Sequence, residues 1–287
     1  MTTEIKQRDS AFKSGIRDQW DQAAAGWSNY SPLIRKWLQL PTQAMLRMAG
    51  IGPGHKVLDV AAGAGEQSLE IAACVGPSGE VKATDISSQI LSCARKNVQQ
   101  AGVRNIAFLV ADAEDLPLEP ATFDSAVCRL GLMFLPNPRA GLSEIRRVLK
   151  PRARFCSMVF AAPDTNPCIR ILMSTAMRHA RSQPRDPFAP GSLFSLSKPG
   201  LIDALFADAG FSQVATTRMA VPFAANTTQE YLDFIRASAA PIAEILSPLD
   251  ESARAATWAD IAEQLEVYQT VDGWFGPNEM LLTAGEA

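Results

Sequence analysis

Read from the amino end, apolar positions first recur every four residues. Phe12, Ile16 and Trp20 predict a helix over 9–20. The small and turn-forming run Ala23 to Pro32 predicts a break. Leu33 to Ala49 predicts a second helix, carrying Ile34, Trp37, Leu38, Met45 and Leu46. From residue 51 the period shortens. Apolar runs near 56–60, 80–84, 106–111, 123–128 and 153–160 predict strands, and helical spacing near 66–74, 87–101 and 139–149 separates them. That alternation predicts an α/β protein built on a parallel sheet with helices on both faces. Right-handed crossovers then gather the C-terminal ends of the strands along one rim. Beyond 160 the pattern loosens: a helix over 168–181, a helix over 199–209, a strand over 211–223, helical segments over 227–269 and a last strand over 279–284.

The residues at the strand ends carry the chemistry. Lys56-Val57-Leu58-Asp59-Val60-Ala61-Ala62-Gly63-Ala64-Gly65-Glu66 is a strand entering a tight turn of small residues. Asp59 is expected to point its carboxylate into the crevice, which would repel a pyrophosphate and favour an ammonium or sulfonium group. Asp85 ends the second strand, placed to accept both hydroxyls of a ribose, with Ile86 against the attached base. Asp112 ends the third, placed to accept from an exocyclic amine, with the backbone of Ala113 beside it. Amino group, ribose and adenine in chain order make S-adenosyl-L-methionine the expected cofactor.

At these residues the chain resembles the class I S-adenosylmethionine-dependent methyltransferases, in the branch that includes the quinone C-methyltransferases. The likeness rests on 57–65, on Thr84-Asp85-Ile86-Ser87, on Asp112-Ala113-Glu114-Asp115-Leu116-Pro117, on 123–129 and on 142–151. The family's first turn glycine is Ala61 here, which leads to an expected negative φ at residue 61. The resemblance implies a doubly wound, mostly parallel, Rossmann-like sheet of seven strands, with 211–223 and 279–284 as its antiparallel edge pair. It divides the chain into N-terminal helices covering the cofactor (1–50), a cofactor-binding core (51–162), a lid insertion (163–197), completion of the sheet (198–225 and 273–287) and a second helical lid (226–272). Leu130 to Pro136 becomes the crevice wall nearest the transferred methyl. Arg129 is a candidate for the cofactor's carboxylate or an acidic substrate, or equally for a structural ion pair. Trp20, Trp27 and Tyr30 read either as core packing or as a flap.

Composition narrows the rest. A net charge of −3 gives no footprint for nucleic acid. Five scattered cysteines without a CxxC pair predict reduced thiols and no metal site. The absence of a long apolar run predicts a cytoplasmic protein without a membrane span. The Met-, Leu-, Ile- and Phe-rich insertions suit a hydrophobic small-molecule substrate such as a phenol, quinone or polyketide-like ring. Of the two histidines, His55 precedes the first strand on the far edge. His179 therefore remains as a candidate base, beside Tyr30. Two rivals share the motifs in part: a non-methylating binder of the same cofactor, and a nicotinamide-dependent oxidoreductase, whose GxGxxG fingerprint differs from the Ala-x-Gly-x-Gly found here.

Overall fold

The computed structural model describes residues 2–183 and 186–287. Residues 184 and 185, inside the expected 163–197 insertion, lie outside them. Two long helices come first, α1 (Thr2–Asn29) and α2 (Ser31–Met48). The predicted break over 23–32 shrinks to Tyr30. The alanines favour helix, and Gly26 is retained because α1 packs there on a later helix. Pro32 sits in the first turn of α2, where a missing N–H costs nothing.

The core then alternates β1 (Lys56–Val60), α3 (Glu66–Val75), β2 (Glu80–Asp85), α4 (Ser88–Gln100), β3 (Ile106–Val110), β4 (Phe123–Arg129), α5 (Pro138–Val148) and β5 (Leu149–Phe160). After it come α6 (Pro167–His179), α7 (Leu201–Asp208), β6 (Ser212–Ala220), β7 (Phe223–Ala225), α8 (Thr228–Ser238), α9 (Ala240–Leu246), α10 (Glu251–Leu265), β8 (Gln269–Thr270), β9 (Gly273–Gly276) and β10 (Glu279–Glu286).

Seven strands form one sheet in the order β3-β2-β1-β4-β5-β10-β6. The first five run parallel, and β10 is antiparallel to both β5 and β6. The order reverses at β1, so a crevice opens between the ends of β1 and β4. Asp124, at the opposite edge, is structural: its carboxylate accepts from Lys56 N at 2.8 Å and from Lys150 Nζ at 2.6 Å. Those partners hold its pKa below the usual carboxylate range, against the cost of partial burial. His55 likewise stays at that edge, its Nδ1 accepting from Gly52 N.

One element departs from the sequence reading. Residues 273–276 do not join the main sheet; β9 pairs with β7 and β8 in a separate three-stranded antiparallel sheet. Trp274 drives this. It is fully buried, stacks on Tyr231 at 4.3 Å between ring centroids, and donates its indole N–H to Leu265 O. The small sheet anchors α8 and α10 against α6, which Gln264 ties by donating to Thr175 Oγ1.

Candidate active site

The turn after β1 is built on left-handed backbone. Gly63 and Gly65 have φ of 58° and 92°, and Ala61 has φ of 54°, correcting the negative value expected there. A left-handed alanine costs about 1–2 kcal/mol, and its surroundings hold it. Ala62 N donates to Thr84 O at 2.9 Å, and Gly131 from the loop after β4 closes against the Ala61 methyl, where a Cβ would come within 2.4 Å. Gly65 lets α3 approach Ala94 of α4 closely.

Asp59 does not face the crevice. Its side chain is fully buried and accepts from Gln67 Nε2 and Ser68 Oγ at the start of α3. Burial pushes its carboxyl up to about 7, against those two hydrogen bonds and the pull of Arg129. The acid that lines the cavity at this point is Glu66, one residue past the glycine turn. Ser31 of α2 donates to it, and Arg129 Nη2 lies 3.8 Å away while Arg129 Nη1 donates to Thr42 Oγ1. Glu66 is part of the motif that signalled the turn; only its orientation at the helix start, invisible to spacing, reveals it. Gln67 also lines this end, and its Oε1 is buried without a protein partner.

Asp85 closes β2 with one oxygen accepting from Gly63 N at 3.1 Å and the other from Ser87 N at 3.0 Å. Burial raises its carboxyl to about 6, opposed by these backbone donors. Each oxygen keeps a lone pair for a ligand. Ser87 caps α4 through Ile90 N and accepts no such freedom on its other side, where it donates to Asp21 of α1. Asp112 accepts from Glu114 N at 2.9 Å and from Lys13 Nζ at 2.7 Å, and Lys13 also reaches Glu114 at 2.7 Å. Lys13, Ile16, Trp20 and Trp27 make α1 the roof of the cavity.

This first cavity encloses about 940 Å³, part of it open to solvent. It brings together Ala61, Gly63, Asp85, Ile86, Asp112, Ala113 and Arg129, but neither Asp59 nor Gly65. The expected wall after β4 is present in Leu130, Gly131, Phe134, Leu135 and Pro136. A second cavity of about 1010 Å³ adjoins it across Trp20, Trp27, Leu130 and Phe134. Its remaining walls come mainly from α6, α8 and α9, with Trp37 of α2, Phe160 of β5 and Phe223 of β7, and among the described residues no charged side chain lines it. Trp27 and Trp37 turn apolar faces inward because their indole N–H groups donate to Ser238 O and Val221 O. Trp37, Phe223 and Tyr231 escaped the sequence reading, because their convergence depends on the small sheet.

Neither candidate base reaches either cavity. His179, at the end of α6, has its Nε2 2.7 Å from Asp260 of α10, an acid also held by Arg178. Tyr30, between α1 and α2, packs edge-on against Phe234.

The model of the ubiE/COQ5 methyltransferase family matches residues 33–176. The ubiquinone/menaquinone biosynthesis C-methyltransferase UbiE of Ectopseudomonas mendocina is 35% identical over 131 residues, 45% of this chain and 51% of that one. Its counterpart in Pasteurella multocida is 36% identical over 124 residues, 43% and 46% of the two chains. The chain thus spans about half the length of the curated relatives it matches. Among solved structures, YcgJ of Bacillus subtilis superposes with a TM-score of 0.55 at 21% identity, over 85% of this chain and 97% of that one. The [4+2]-cyclase SpnF does so with 0.55 at 18%, over 93% and 96%. At such identities the two structures share the fold and no more. The family match takes in β1, the glycine turn, both flanking acids of the rim and the wall after β4: the chain belongs to the ubiE/COQ5 methyltransferase family.

Proposed function

We propose that the chain is an S-adenosyl-L-methionine-dependent methyltransferase acting on a small hydrophobic metabolite, a phenol, quinone or polyketide-like ring, by in-line transfer. One observation carries this reading. A cavity rimmed by acids and a glycine turn shares a wall with an uncharged apolar cavity, so a polar cofactor and an apolar acceptor can meet across Trp20, Trp27, Leu130 and Phe134.

The first cavity suits the cofactor in three respects. Asp85 retains lone pairs for ribose hydroxyls. Ile86 and the Asp112–Ala113 turn lie where the base would sit. Glu66, an acid on the same lining, offers an acceptor to an ammonium group. Arg129 stays paired with Glu66 and serves a ligand carboxylate only through that pair. When bound, the cofactor supplies an electrophilic methyl group on a sulfonium.

The chain's own contribution is alignment and exclusion of water. Displacement requires the attacking atom about 3–3.5 Å from the methyl carbon and opposite the sulfur, and the aromatic wall and roof confine both partners. Among the described residues, Tyr231 alone of the titratable side chains lines the second cavity. An acceptor that gives its proton to bulk water and enters as a phenolate or enolate therefore suits it better than one needing a protein base. His179→Ala is expected to leave turnover and its pH profile unchanged. The same membership in a quinone-methylating family and the names of the relatives support a carbon acceptor on a quinone precursor as the first substrate to try. No helix among the described residues is long and apolar enough to cross a membrane.

Calorimetric titration with S-adenosylmethionine, S-adenosylhomocysteine and NAD tests the cofactor: the first two should bind and NAD should not. Incubation with methyl-labelled donor and a panel of phenols and hydroquinones tests transfer. Binding of NAD alone would overturn the reading, and cofactor binding with no label transferred to any acceptor would favour a non-methylating role.

A further inference from the structure

The second cavity contains a buried polar group with nothing to bind. Tyr231, on α8, is only 3% exposed, and its ring is clamped by a stack on Trp274 and an edge contact with Phe223 at 5.0 Å. Its hydroxyl has no hydrogen-bond partner among the described residues, although a buried hydroxyl ordinarily finds one. The side-chain atoms sealed off without a partner are Gln67 Oε1, Glu70 Oε1 and Ser157 Oγ, and the Tyr231 hydroxyl is not one of them. The hydroxyl is thus not sealed, and Tyr231 is one of the residues lining the second cavity. The other donors on these walls are already committed. Trp27 and Trp37 donate to backbone carbonyls, and Ser238 Oγ donates to Phe234 O at 2.6 Å. Asn278, 6% exposed on the same lining, donates to Gly276 O, and its Oδ1 has no partner among the described residues.

We propose that the Tyr231 hydroxyl is a specificity-determining donor that binds a phenolic or carbonyl oxygen on the acceptor ring. This rests on the methyltransferase reading and narrows its acceptor class from hydrophobic rings in general to oxygen-bearing ones. A site that buries a lone donor in apolar walls discriminates sharply. An oxygen-bearing ring satisfies it, while the parent hydrocarbon leaves it unpaired. Tyr231 acts as a donor and not as a base. Burial, with Cys168 nearby, holds its pKa well above that of an ordinary tyrosine, so the proton stays on the hydroxyl. The Asn278 oxygen is available to a ring hydroxyl as the complementary acceptor, which favours a phenol over a carbonyl.

The test is equilibrium dialysis of the full chain against 1-naphthol and naphthalene, in the presence of saturating S-adenosylhomocysteine. Tyr231→Phe is the variant, since it deletes one oxygen and keeps the ring stack on Trp274. The ratio of naphthalene to 1-naphthol dissociation constants should fall about five- to tenfold in Tyr231→Phe, through weaker naphthol binding and not stronger naphthalene binding. A ratio that stays within a factor of two, or native protein that does not bind 1-naphthol, would overturn the proposal. Calorimetry with S-adenosylhomocysteine separates the two layers. Normal cofactor affinity in both proteins with an unmoved ratio condemns the role of Tyr231 alone, whereas no cofactor binding by the native chain condemns the methyltransferase reading beneath it.

Discussion

Two carboxyls lie at neighbouring strand ends, yet the structure gives them different work. Asp59 is sealed beneath the turn with its pKa raised from an ordinary 3.8 to about 7. A carboxyl raised by folding stabilises the fold while protonated, fully so below about pH 4, and the contribution is lost as pH climbs through 7. The shift corresponds to a loss on the order of 4 kcal/mol across that window. Asp59→Asn imitates the protonated form, so its urea-unfolding free energy should be flatter than the native protein's between pH 4 and pH 7. Equal slopes in the two proteins would contradict the burial argument. Asp85 sits at about 6 and lines the cavity. Ribose hydroxyls are donors and prefer its ionised form. Cofactor affinity should then fall roughly tenfold per pH unit well below 6 and level off above it, as calorimetry at several pH values would show. Asp85→Asn should bind about 10- to 100-fold more weakly at pH 7.5, for the loss of charge-assisted hydrogen bonds.

At the scale of elements, the site depends on α1 lying tightly over the sheet's rim. Lys13 bridges Asp112 and Glu114, Asp21 accepts from Ser87, and Trp27 donates to Ser238 at the end of α8. The closest approach is at Gly26, where a Cβ would lie 1.8 Å from Ala237 O. On an isolated helix, Gly26→Ala would stabilise by about 1 kcal/mol. Here the clash with backbone outweighs that gain, since the carbonyl cannot swing aside as a flexible side chain would. A net destabilisation of about 1–3 kcal/mol is expected from denaturant titration. Gly26 showed in the sequence only as a breaker; that it marks a crossing of helices depends on α8, more than 200 residues later.

At the scale of the molecule, two cavities share one aromatic wall, one furnished mainly by the α/β core under α1 and the other mainly by the segments that follow the core, with Trp37 of α2. That division is testable by filling the second cavity. Met173, on α6, lines it and does not line the first. Met173→Trp should raise the KM for the acceptor at least tenfold while cofactor affinity stays within about twofold. Coupled loss of both would mean that the cavities act as one. The same division explains what could be read in advance. The alternation from residue 51 onward and the acids at 85 and 112 lie at strand ends whose convergence follows from chain handedness, so the rim at Asp85, Ile86, Asp112, Ala113 and Arg129 was legible. The acceptor side was not: Trp37, Phe223 and Tyr231 are brought together by a small sheet of strands two to four residues long.

What the sequence determined by itself is local and periodic: strands and helices from the spacing of apolar residues, a tight turn from Gly63 and Gly65, and one rim for all strand ends from the handedness of crossovers. What only the tertiary structure decided is direction and enclosure. Strand register buries Asp59 beneath α3 and turns Glu66 to the cavity; backbone hydrogen bonds and the close approach of Gly131 hold Ala61 left-handed; a hydrogen bond joins His179 to Asp260 of α10, outside both cavities. Each of these outcomes is a competition between side chains far apart in the chain, and periodicity carries no information about who wins it.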